Sequence, residues 1–295
     1  MAATGPSIAA KGTDTSWPAP SPQGRIHPLL AAIVLAELAT LYAPTVRWLY
    51  ERWTMSVWHN AHGLLVPPVV AYFVYQELKT SGGSDRRGSA LGLLVVIPAL
   101  ALQALDAGLH TQLLSAISLV LMLPGLALLF LGVPRTKMIA FPLAFSVFML
   151  PIPLSFTERI HLVLREIATV GTERFMRLAG VPVLVEGTTL HFANAALFVS
   201  DACSGFSTVY AALAVACLTA YSTRSTARRL LVVTAATPLA VAANLLRVIL
   251  LSFLVLWQGT SVLATSLHPL SGILTFVLVL PLIFWLGGSQ GSASP

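Results

Sequence analysis

The sequence predicts an all-α polytopic membrane protein of about eight transmembrane helices. An extracytoplasmic amphipathic helix and short extended segments are expected between spans five and six. Three observations carry this. Hydrophobic residues make up 56% of the 295 positions and charged residues only 9%, whereas a soluble domain carries about 25% charged residues. The mean hydropathy is +0.83. Apolar runs also recur along the whole chain, near the roughly 20-residue length that one span needs.

The spans follow in order. Residues 1–27 are rich in Pro, Ser, Gly and Ala and read as a disordered cytoplasmic tail rather than a signal peptide, because no small-residue cleavage site follows the apolar run. Span one is expected over 28–44, ending near Pro44. Span two, 57–78, holds His59, Asn60, His62, Gly63 and the Pro67-Pro68 pair in its first half. The polar turn SGGSDRRGS (81–89) leads to spans three and four, 89–105 and 112–132, and the VPRTK loop leads to span five, 138–154.

Residues 155–200 break this pattern. Ile160, Leu164, Ile167 and Val170 fall at helical spacing with Glu and Arg opposite them, which predicts an amphipathic helix at the membrane interface. After Gly180 the chain reads as short extended segments with a turn near Ala193-Asn194. Spans six (203–222), seven (230–257) and eight (268–287) follow. A short tail, 289–295, comes after them, and no further soluble domain is expected.

Orientation follows from the basic residues. With the N-terminus inside, ten lysines and arginines (Lys11, Arg25, Lys79, Arg86, Arg87, Arg135, Lys137, Arg224, Arg228 and Arg229) face the cytoplasm, and the short outer loops hold only Arg47 and Arg52. The segment 155–200 then lies outside. The net charge of +6 is thus a topology signal. No groove of interleaved basic and aromatic residues appears, so the expected partner is the lipid bilayer and not nucleic acid.

Chemistry is sought first in the cysteines. Cys203 and Cys217 are fourteen residues apart in one apolar run, about 21 Å along a helix, too far for a disulfide. No Cys/His cluster suggests a metal, and no cofactor is expected. Cys217 lies at mid-membrane without polar neighbours and reads as a small buried hydrophobe. Cys203 opens span six after Ser200 and Asp201, either of which could cap that helix. A helix start and a nearby cation both favour the reactive thiolate.

Two further residues share its depth. Counted from the cytoplasmic ends of their spans, Cys203, Arg247 and His268 each stand about 25–28 Å up. A guanidinium within a span costs roughly 2.5–3.5 kcal/mol on insertion scales, so it is usually paired or functional. Arg247 could pair with Asp201 or reach the headgroups; it could also stabilise an oxyanion or hold a substrate carboxylate. Asn244 shares its helix face. His268, before Pro269, could cap span eight or act as a general acid and base.

The segments DACSGFSTVY (201–210), NLLR (244–247) and HPLSG (268–272) together resemble the exosortase/archaeosortase family of integral-membrane sorting enzymes. HNAHGLLVP (59–67) is similar to that family's early SHG-containing helix, with Ala61 in place of the usual Ser, and FPLAFSVFMLPIP (141–153) to its Phe/Pro-rich middle span. The resemblance covers roughly 40–288, so an exosortase-like transmembrane domain is expected over 28–288. It implies a Cys–Arg–His site at Cys203, Arg247 and His268, with Asp201, Asn244, His62 and Ser204 in supporting or substrate-binding positions. It also implies a bacterial inner-membrane cysteine transpeptidase or peptidase, acting on membrane proteins whose C-terminal signal joins a PEP-type motif, a transmembrane helix and a basic tail. A Cys thioester would pass to an acceptor that the sequence does not name.

Two other classes are weighed. A transporter or channel with Arg247 binding an anion would usually show repeats and broken mid-membrane helices, and none is evident. An acyl- or glycosyltransferase would need an acidic pair at the site, for which only Asp201 and Glu186 are available.

Overall fold

The computed structural model describes residues 28–55, 61–80, 88–265 and 267–288. The expected tails 1–27 and 289–295, and His59 and Asn60, lie outside them. The chain divides into two compact units, 1–43 and 44–295. The described part of the first is the start of α1 (Pro28–Thr54), which continues past Pro44 rather than ending there. The site described below lies in the second unit.

Among the described residues, five helical segments are long and apolar enough to cross a membrane: Ala32–Thr54, Ala90–Leu109, Leu113–Met138, Thr226–Gln258 and Leu270–Gly287. The other three expected spans are shorter. Helix α2 (Val66–Thr80) has 15 residues and follows a 3-10 turn, Ala61–Leu64. Helix α5 (Ala140–Phe145) and its 3-10 extension to Met149 replace span five, and α7 (Phe206–Ser222) replaces span six. Helix α7 begins later than Cys203 because Gly205 sits in the left-handed region, φ +82.

Helices α3 (Leu93–Leu109) and α4 (Leu113–Met138) form a tight hairpin. Its buried Asp106 accepts hydrogen bonds from the Thr111 backbone at 3.1 Å and the Ser115 hydroxyl at 2.6 Å. The VPRTK segment is helical and not a loop; the break falls at Gly132 instead (φ 76, ψ 171).

Helix α6 (Leu154–Leu178) forms where the sequence places a helix, and the structure decides which of its faces turns inward. Thr157, His161, Ala168, Thr169, Thr172 and Met176 are buried, whereas Ile160, Leu162, Val163 and Ile167 are exposed. Where the exterior is apolar, an amphipathic helix can turn its small and polar side inward.

Three short antiparallel strands follow, β1 (Leu184–Glu186), β2 (Thr189–His191) and β3 (Ala196–Phe198) in that spatial order. Leu190 pairs with Val185 on one side and Leu197 on the other. Phe192 and Ala195 close the turn around Ala193-Asn194, where the sequence had put it. Leu190, Leu197 and Val199 bury against Met176 of α6 and Val248, Leu251 and Val255 of α8 (Thr226–Gln258), with Cys203 in the same cluster.

Helices α7, α8 and α9 (Leu267–Gly287) pack together. Ala212 and Ala216 of α7 face Ala236 and Ala240 of α8 in one buried cluster. Small side chains one turn apart let helix backbones approach closely where lipid supplies no hydrophobic drive.

Candidate active site

The site is built on the turn that carries the chain out of the sheet and into α7. After β3 the backbone forms a 3-10 turn, Asp201–Cys203, with the Cys203 N–H donating to the Ser200 carbonyl at 2.9 Å and the Ser204 N–H to the Asp201 carbonyl at 3.1 Å. Cys203 therefore lies just ahead of α7 rather than at its first residue. Ser200 makes no side-chain cap. The Ser204 hydroxyl takes that part, accepting from the Phe206 N–H at 3.3 Å. Cys203 itself is buried, and neither Cys203 nor Cys217 is in a disulfide.

Helix α8 meets this turn through Asn244. Its Nδ2 donates to the Cys203 carbonyl at 2.9 Å, while its buried Oδ1 has no partner among the described residues. Gly205 makes the approach possible: a Cβ there would lie 2.4 Å from Asn244 Cγ. One turn further along α8 is Arg247, 6% exposed. Its guanidinium interacts electrostatically with Cys203. Its Nε donates to the Ser271 hydroxyl of α9 at 2.9 Å. Gly272 faces it, and a Cβ at that position would stand 3.6 Å from the guanidinium carbon, an ordinary contact.

The two ordinary accounts of Arg247 do not describe this arrangement. The Asp201 carboxylate is paired with Arg165 of α6 at 3.3 Å, and a side chain so buried is not extended toward headgroups.

Arg247 borders two spaces. One is a cavity of about 190 Å³ shared with His62, Gly205, Ser207, Thr208 and Gly272. The other is an apolar groove of about 330 Å³ between α8 and α9, running along Leu250, Leu254, Leu274 and Leu278. His62 comes to the first from the turn before α2 and meets Tyr210 of α7 edge-on, ring centroids 4.9 Å apart. That turn fits because Gly63 lies against Trp53, where a Cβ would be 2.3 Å from Nε1.

The structure thus gathers Cys203, Ser204, Asn244, Arg247 and His62 around one region, with Asp201 on its outer side. His268 is the second residue of α9, and its side chain lies outside the described residues. Its backbone position is three residues before Ser271, hence on the same helix face.

Three participants were not singled out in the sequence. Ser271 was inside the quoted HPLSG segment but was not singled out. His161 and Arg165 are one turn apart on α6 and both reach the Cys203 turn, His161 Nδ1 lying 2.8 Å from Ser204 Oγ. The available signal was the second stripe of α6, Thr157, His161, Ala168 and Thr172, at the same helical period as the apolar one. The acidic candidate Glu186 is far more exposed and pairs with His191. Among the described residues no group of His, Cys, Asp and Glu could hold a metal ion.

These three segments, held together by side-chain contacts across α7, α8 and α9, agree with the family comparison. A family model described as transmembrane exosortase (Exosortase_EpsH) matches residues 53–285. The chain belongs to the transmembrane exosortase family. The match spans all three segments and the His62 turn. Family membership gives this exosortase a membrane transpeptidase-type role in general, in a family of cysteine transpeptidases that act on substrate proteins bearing sorting signals. Its several apolar helices make it a multi-pass membrane protein. Comparisons with curated proteins and with solved structures give no match.

Proposed function

We propose that this exosortase cleaves C-terminal sorting signals of exported membrane proteins through a thioester on Cys203. Its substrates carry a short Pro-containing motif of the PEP type, a transmembrane helix and a basic tail. The work is done at the outer face of a bacterial inner membrane, with the N-terminus in the cytoplasm and 155–200 outside.

The Cys203 thiolate attacks the scissile carbonyl carbon and gives a tetrahedral oxyanion, which Arg247 stabilises. The C–N bond then breaks, and protonated His268 gives its proton to the leaving amine. An acceptor amine or water next attacks the thioester, with neutral His268 taking the acceptor's proton. The Cys203 thiolate leaves as the new amide or acid forms, and the enzyme is restored.

The observation that carries this reading is the hydrogen bond from Asn244 to the Cys203 carbonyl. It fixes the thiol's turn to the helix whose next turn bears Arg247, and a cation so buried favours anionic partners. The apolar groove from Arg247 along α8 and α9 suits a substrate helix that approaches through the bilayer.

The test is co-expression with a membrane reporter ending in such a tripartite signal, followed by immunoblotting. Wild-type enzyme is expected to shorten the reporter, and Cys203→Ala or Cys203→Ser to leave it at full length in the membrane. Undiminished processing by the Cys203 variants would overturn the mechanism.

A further inference from the structure

Helix α6 is held to the Cys203 turn at a point that the reaction scheme above leaves unused. His161 is a buried imidazole, 7% exposed. Its Nδ1 lies 2.8 Å from the hydroxyl of Ser204, the residue after Cys203. One side chain therefore ties α6 to the turn next to Cys203. A neutral ring can accept the Ser204 hydroxyl proton at Nδ1, leaving the Ser204 oxygen free to accept from the Phe206 N–H. The ring also packs on Phe206, the first residue of α7, tilted by 40° with centroids 4.7 Å apart.

Arg165 adds a second contact one helical turn away, but the two differ in weight. The Arg165–Asp201 pair has a carboxylate more than half exposed, and solvent screens pairs of that kind. A buried hydrogen bond costs more to break, because the partner left behind stays unsatisfied. His161 is the stronger hold.

These contacts close a triangle. Helix α6 packs on α8 where Gly171 meets Leu245, a Cβ on Gly171 falling 2.7 Å from a Leu245 methyl. Asn244, beside Leu245, bonds the Cys203 turn. That turn bonds back to α6 through Ser204 and His161. With the His161 side removed, the turn carrying the thiol loses its hydrogen bond to α6 and keeps the one from Asn244 of α8.

We propose that His161 is a positioning residue that keeps the Cys203 thiol beside Arg247 by bonding Ser204. This rests on the reading of Cys203 as a nucleophile paired with Arg247.

The test uses the full-length protein in lipid nanodiscs with Cys217→Ser, so that Cys203 is the remaining thiol. Its rates of modification by the anionic sulfonatoethyl and the cationic trimethylammonioethyl methanethiosulfonates are compared, each relative to a small free thiol. Exposure of the thiol affects both reagents, whereas a guanidinium beside it raises the ratio of anionic to cationic rates. The parent is expected to prefer the anionic reagent by about tenfold. His161→Phe keeps the packing on Phe206 but not the bond, and Ser204→Ala removes the bond from the other side. Both are expected to fall to within about twofold of the free thiol, and His161→Asn, which restores a polar atom near the Nδ1 position, to keep most of the preference. Retention of the preference in His161→Phe or Ser204→Ala would overturn the proposal and leave the Cys203–Arg247 reading standing. Loss in His161→Asn as well would assign the effect to packing and also overturn it. No preference in the parent would overturn both readings.

Discussion

Asn244 donates from Nδ2 to the backbone carbonyl of Cys203 at 2.9 Å, joining residues 41 positions apart on two different elements. Through that bond α8 holds the thiol's turn by its main chain and leaves the Cys203 side chain out of the contact. Asn244→Leu keeps the approximate volume and removes the donor, leaving a buried carbonyl without its partner. Because Asn244 Oδ1 is already unpartnered, the substitution also relieves one buried polar atom. The expected net loss of stability is about 1 kcal/mol, read as a lower thermal midpoint, with a proportionally larger drop in reporter cleavage.

Gly205 and Gly272 both flank the site but should respond differently to alanine. At Gly205 the backbone is left-handed and the new Cβ would fall 2.4 Å from Asn244 Cγ. The conformational cost alone is about 1–2 kcal/mol, and the clash displaces the side chain that holds Cys203. At Gly272 the Cβ meets Arg247 at 3.6 Å, and alanine in a helix gains up to about 1 kcal/mol over glycine. Expression and thermal unfolding of the two variants should separate cleanly, with Gly205→Ala impaired and Gly272→Ala equal to wild type or better.

Arg247→Lys retains the charge but not the Nε donor that bonds Ser271 at 2.9 Å. Lysine presents a point charge where arginine presents a planar fork. If Arg247 supplies the oxyanion partner, cleavage by Arg247→Lys is expected to fall by about 10²–10³. Ser271→Ala, which only frees the guanidinium to rotate, should lose less. Single-turnover cleavage of the reporter measures both.

Burial holds the His161 imidazole below its ordinary value of 6.5, the Asp201 charge pulling it up and the Arg165 charge pushing it down. The folded protein thus binds this proton less readily than the unfolded chain. The stabilising contribution is fully present above pH 6.5 and is lost as pH falls below that value. Thermal midpoints across this acid range should fall more steeply for the parent than for His161→Phe, which has no proton to bind. Parallel slopes would show that folding leaves the proton affinity of His161 unchanged.

The extent to which the sequence foretold the site differs from residue to residue. Cys203 and Arg247 could be matched by counting depth along apolar runs, since a helix advances a fixed rise per residue. That count assumed a helix continuing through Cys203, and Gly205 interrupts it; the contact the structure shows is the Asn244 bond to the Cys203 carbonyl. A pair between Asp201 and Arg247 was one of several open alternatives, and the structure pairs Asp201 with Arg165, since sequence distance does not rank two candidate arginines. The inward face of α6 was not legible for a related reason. In water the apolar stripe identifies the buried side, but in a membrane protein both exterior and interior are apolar, so periodicity alone does not say which side turns in.

By itself, the sequence determined that this chain is a multi-pass, mostly helical membrane protein, and its three spaced segments pointed to the family. Composition does this because uncharged runs of span length have few other stable environments. The tertiary structure alone decided that Cys203 sits on a turn ahead of α7, that Asn244 holds that turn, and that His161 of α6 grips it from the other side. These are contacts between elements far apart in the chain, and they follow from how helix backbones approach at small residues such as Gly171 and Gly205, a matter of packing geometry that no local pattern encodes.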